Sequence, residues 1–85
     1  QGDITLQTRQ SLNNLFTVLK NAGLTEANVQ KVNVYLTDMN DFVAMNEEYQ
    51  KHFSKPYPAR TTIGVAALPL GAKVEIKIHI KNILC

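Results

Sequence analysis

Apolar residues recur along this chain with two different spacings, and each change of spacing marks the end of an element. Over residues 4–22, Leu12, Leu15, Phe16, Leu19 and Ala22 fall three or four positions apart and share one stripe of an α-helix. Gln7, Arg9, Asn13, Asn14 and Lys20 make its wet side. Asp3 can cap the first turn, and Gly23 is placed to end the helix in the left-handed conformation. After a short turn at residues 25–28, Val32, Val34 and Leu36 alternate with Lys31, Asn33, Tyr35 and Thr37. A spacing of two predicts a half-buried β-strand. Residues 38–41 read as a turn that also supplies a cap. A second helix is predicted over 41–53, with Phe42, Met45, Tyr49 and either His52 or Phe53 turned inward. Pro56 and Pro58 break it, because proline lacks the amide hydrogen a helix needs.

Two strands close the chain, over about 60–66 and 73–83, around a turn at 67–72. In the second, Val74, Ile76, Ile78 and Ile80 alternate strictly with Lys73, Glu75, Lys77, His79 and Lys81. The order is α-β-α-β-β in a single domain over 1–85: an α+β sheet with two helices packed on one face. Its other face is mixed, with Asn33, Tyr35, Thr37, Glu75 and His79. A three-stranded sheet with one naked side makes a poor monomer.

A chain of 85 residues buries a limited core and often gains stability from a metal, disulfides or a partner subunit. No metal is expected, since His52, His79 and the lone Cys85 have no ligand spacing. A partner subunit is the remaining route. One cysteine also argues against a disulfide-stapled secreted scaffold, so an intracellular setting is expected, cytoplasmic or mitochondrial. No apolar run approaches a bilayer span and no signal-peptide pattern opens the chain, so no membrane role is expected. Gln1 and Gly2-Asp3 read like the middle of a protein, as though the chain were processed or truncated. The net charge of +2 is spread out; Lys73, Lys77 and Lys81 read as a solvated strand face. Nucleic-acid binding would want a denser basic stripe with interleaved aromatics.

Few residues invite chemistry. Arg60 begins a strand after a proline-rigid loop, and its forked guanidinium suits bidentate recognition of a carboxylate. Glu75 lies on the polar face of the last strand, and a hairpin centred between Ala67 and Leu68 would set it opposite Arg60. Asn46 borders the apolar face of the second helix, and Thr62 shares the strand face of Arg60. Each also has an ordinary reading: an exposed strand-end arginine, a cross-strand charge partner, a helix-edge amide, a strand threonine. His79 reads as a solvated strand residue, Met39 and Met45 as core filler, and Cys85 as a frayed end. No phosphate-binding loop, dinucleotide fingerprint or serine-nucleophile motif is present.

Read in order, Asp38-Met39-Asn40-Asp41-Phe42, Asn46-Glu47-Glu48-Tyr49, Phe53, Pro58-Ala59-Arg60, Val65-Ala66-Ala67-Leu68-Pro69 and Val74-Glu75-Ile76 resemble the RidA (YjgF) family of reactive-intermediate deaminases. Gln7-Thr8, Leu12, Asn14 and Ala22-Gly23 fit its first helix. The resemblance implies a chorismate-mutase-like fold and a homotrimer with sites in the clefts between subunits. It implies cofactor-free hydrolysis of 2-imino and enamine acids to 2-keto acids and ammonia. Arg60 would then hold the substrate carboxylate and Glu75 would orient or activate water, with Asn46 and Thr62 lining the pocket. Alternatives are a trimer that binds small acids such as 2-keto acids without turnover, and RNA cleavage or translation inhibition. The chain departs from the family pattern in three ways. It lacks the usual N-terminal strand elements, Thr62 stands where many relatives have cysteine, and Lys77 stands where a second acid is common.

Overall fold

Asp3 starts α1 (Ile4–Asn21) by accepting a 2.8 Å hydrogen bond from the Leu6 amide. Gly23, at φ +76°, carries the chain out of it, a conformation that costs a residue with a Cβ. The computed structural model describes residues 3–80. After a short 3-10 turn at Glu26–Asn28 come β1 (Val29–Leu36), α2 (Phe42–Lys51), β2 (Ala59–Gly64) and β3 (Val74–Ile80). The expected α-β-α-β-β order and α+β class are therefore found. The expected end of the last strand, with Lys81, and the frayed Cys85 lie outside the described residues.

The sheet corrects one expectation. Its order is β2-β1-β3, so the two final strands flank β1 and do not form a hairpin. β2 runs parallel to β1 and β3 antiparallel to it. The reason lies in the connections. α2 is the crossover that returns the chain to the same end of the sheet, as a parallel pair requires. The link from β2 to β3 then straddles the end of β1: the Val65 amide bonds the Leu36 carbonyl, and the Thr37 amide bonds the Lys73 carbonyl. The central place falls to the strand with the most completely buried face, where Val32, Val34 and Leu36 have no exposed surface.

Both helices lie on one face, and the core is the layer between. Leu12 and Leu19 of α1, Met45 and Tyr49 of α2, and Phe53 meet Val32, Val34, Leu36, Val74 and Ile76 of the sheet. Each such burial stabilises the fold by about 1.5–3 kcal/mol. The Phe53 ring packs 4.6 Å from Tyr49 and 5.3 Å from Phe16. Two core expectations fail. Ala22 is exposed because the helix has ended, and Met39 is 49% exposed because it belongs to a 3-10 turn lying over Gly64. Thr8, four positions before Leu12 and so on the apolar stripe of α1, is fully buried.

The opposite sheet face carries no layer from the described residues. Three rows cross it: Ala59–Lys31–His79, Thr61–Asn33–Lys77 and Ile63–Tyr35–Glu75. No described helix is long and apolar enough to cross a membrane.

Candidate functional site

Arg60 pairs with Val32 in the sheet register, so its side chain leaves β2 on the helix-covered face. There it meets α2. Its Cζ stands 4.7 Å from the Tyr49 ring centroid and 5.6 Å from that of Phe42. Its Nη1 donates to Asn46 Oδ1 at 2.6 Å. Phe42, Asn46 and Tyr49 are spaced four and three apart, so one face of α2 presents two rings and an amide to the guanidinium. Half-buried Arg60 has no carboxylate within ion-pair distance among the described residues. Asn46, Tyr49, Gln50, Tyr57, Pro58 and Arg60 line a cleft of about 260 Å³. Burial pushes the Tyr49 phenol above its usual pKa against the opposing effect of Arg60's charge, so Tyr49 stays neutral. Its hydroxyl is buried without a partner among the described residues.

Thr62 follows on the same face, in register with Val34. Its Oγ1 is buried and also unpartnered among the described residues. It sits beneath the helices and is not part of the cleft wall. Asn46 is.

Glu75 is elsewhere. It pairs with Tyr35 and projects from the open face, one third exposed, with Lys77 Nζ 3.6 Å from its Oε2. The expected facing of Arg60 and Glu75 is therefore wrong. They sit on the two outer strands, three register positions apart and on opposite faces. Strand spacing and rise put their Cα atoms about 14 Å apart. His79, exposed on the open face as expected, has its Nε2 3.1 Å from the Asn33 amide nitrogen.

Pattern reading missed one charged centre. Glu48 is 3% exposed and binds across the helices: Arg9 Nε at 3.1 Å, Arg9 Nη2 at 3.3 Å and His52 Nε2 at 2.8 Å. Lys51 Nζ lies 3.5 Å away. Hydrogen bonds from Arg9 first, and then His52, hold its carboxyl at about 2, far below the usual range. Its place beside Tyr49 and three after Met45 puts it on the inward side of α2, a phase the sequence does show. Among the described residues no three His, Cys, Asp or Glu side chains stand together as a metal site.

Known proteins supply the remaining constraint. The family model described as Endoribonuclease L-PSP matches residues 1–81. A RutC family protein of Pyrococcus horikoshii is 47% identical over 77 residues, covering 91% of this chain and 61% of its own length. The human 2-iminobutanoate/2-iminopropanoate deaminase is 42% identical over 76 residues, 89% of this chain and 56% of its own length. The chain thus spans less than two thirds of these relatives. Among solved structures, RidA from an Antarctic Psychrobacter superposes with TM-score 0.88 at 40% identity, over 92% of this chain and 63% of that one. TdcF of E. coli with bound serine does so with TM-score 0.88 at 35% identity, over 96% and 68%. The fold is the one these proteins share, chorismate-mutase-like.

Proposed function

This chain belongs to the endoribonuclease L-PSP, or RidA (YjgF), family, and from that membership we propose that it hydrolyses 2-imino acids to 2-keto acids and ammonia. The observation that carries this reading is Arg60. A half-buried guanidinium, clamped on its face by Tyr49 and Phe42 and at one corner by Asn46, has spare N–H groups and no carboxylate partner among the described residues. A carboxylate is the ligand that completes it.

A protonated imine is already electrophilic at C2, so the reaction needs only a held substrate and a directed water. The water oxygen bonds to C2 while one of its protons passes to the Glu75 carboxylate. That proton returns to the substrate nitrogen; the hydroxyl then gives its remaining proton to Glu75 as its C=O bond closes, the C–N bond breaks, and ammonia leaves with the bonding pair. Arg60 fixes the reacting carbon by its neighbouring carboxylate, the positioning that accounts for much of catalytic rate.

One protomer cannot bring these groups together, because Arg60 and Glu75 lie on opposite faces of its sheet. The proposal therefore includes a second copy that brings its Glu75 to the Arg60 cleft of the first. The open face is the surface available for such packing, and a homotrimer with shared clefts meets the requirement. Small-acid binding without turnover is the second reading, favoured by the ion pair with Lys77 that occupies the Glu75 carboxylate. TdcF holds serine in its own structure. RNA cleavage draws no support from an aromatic, carboxylate-sized cleft.

Subunit mixing tests the reading. Arg60→Ala and Glu75→Gln proteins should each be inactive toward 2-iminopropanoate. When they are exchanged together, random assembly restores about a quarter of the clefts and of the activity. Full inactivity of the mixture, with the parent protein active, would overturn the shared site. A parent protein that binds keto acids but releases no ammonia would leave the binding reading.

A further inference from the structure

The open sheet face is not evenly charged. Its rows carry Lys31 and Lys77 against one acid, Glu75. Lys77 stands beside that acid, two residues along the same strand and on the same side, with its Nζ 3.6 Å from Oε2 and 63% of its side chain exposed. From this we infer a substrate class: the chain prefers 2-imino acids that bear a second carboxylate, and Lys77 receives that distal group. The inference rests on the deaminase reading above.

The geometry follows from where the water must be. A water directed by Glu75 sits about 3 Å from the carboxylate oxygen, and the attacked C2 lies about 3 Å beyond it. Nζ is thus at most about 9–10 Å from C2, and the flexible lysine stem brings it closer. A carboxylate carried two or three bonds from C2, as in the imines of aspartate and glutamate, falls in that shell. The α-carboxylate of the same substrate is already taken by Arg60, so the second one meets the cation on the opposite wall of the cleft.

Lys77 has three N–H donors, and its loose contact with Glu75 uses one of them. A monocarboxylic imine gains nothing from the others. Further along the face, Gln30, Lys31, Ala59 and His79 line a shallow depression of about 460 Å³. It lies too far from Glu75 for a four- or five-carbon acid, and no carboxylate in its lining competes for Lys77. The field on this side of the cleft favours an anion.

Binding and turnover test this together. Calorimetry with 2-oxoglutarate and 2-oxopentanoate compares two keto acids of equal length that differ by one carboxylate. Wild type should bind the first about tenfold more tightly, a preference that shrinks with added salt. Lys77→Ala should bring the ratio near one, while Lys77→Arg keeps it. The kcat/KM ratio for the imines of glutamate and of 2-aminopentanoate should move in parallel. Equal binding of both acids by wild type, or a preference that survives Lys77→Ala, overturns the inference and leaves the deaminase reading intact. Failure to bind either acid overturns both.

Discussion

Arg60 has given up water on its faces while its edge stays available. Rings within about 6 Å on a guanidinium face contribute about 0.5–2 kcal/mol each, and the Asn46 bond fixes rotation about the remaining axis. Such a group is pre-organised for a planar anion, so little side-chain entropy remains to be lost on binding. Charge alone would not reproduce it. Arg60→Lys keeps the cation but loses the fork and the stacking plane, so kcat/KM should fall by about a hundredfold. A thermal melt of the same variant should shift by only a few degrees, because Arg60 is on an edge strand outside the core. A variant with undiminished kcat/KM would remove Arg60 from the site. Much of this was legible in the sequence: the spacing of Phe42, Asn46 and Tyr49 sets one helix face. That the face meets Arg60, and not Glu75, was not legible, since a hairpin and a crossover leave the same local pattern.

At the scale of the element, α2 does two jobs with two sides. One side holds Arg60. The other is pinned to α1 through Glu48, Arg9 and His52. A buried carboxylate satisfied from a neighbouring helix sets the rotation and slide of both helices, so the platform under Arg60 depends on it. Glu48 is held at about 2, below the ordinary value of 4.5. A depressed folded-state pKa means its stabilisation is complete above about 4.5 and is lost as pH falls toward about 2. Urea midpoints of the wild type should therefore drop across that window, by up to about 3 kcal/mol in stability. Glu48→Gln should be less stable at pH 7 and lose most of this acid dependence. A variant with the same acid slope as wild type would assign the slope to other carboxylates. Composition placed Arg9 on a wet helix side, and its 45% exposed side chain agrees; only the packing of α1 on α2 supplied its partner.

For the molecule as a whole, the unlayered sheet face is the outstanding feature. Tyr35 stands in a row with Ile63, which is 43% exposed, and Glu75. The shared-site proposal requires this face to be covered by another copy. Tyr35→Asp would place a carboxylate beside Glu75 there. The parent protein should sediment at about three times the monomer mass, and this variant at the monomer mass with its helical circular dichroism retained. Imine hydrolysis should vanish with the assembly. A wild-type monomer that is fully active would remove the need for a second copy.

Periodicity by itself determined both helices, all three strands, their succession along the chain and, for every element but β2, which side faces the core. Those are properties of neighbours a few residues apart, where burial of an apolar stripe decides the local conformation. Strand order, the parallel pairing of β1 with β2, and the separation of Arg60 from Glu75 were settled only by tertiary structure. Local alternation is blind to which strand becomes the neighbour. That choice depends on where α2 carries the chain and on giving the central place to Val32, Val34 and Leu36. The Glu48 clamp belongs with it, because a charge can be buried only where a second helix brings its counterions.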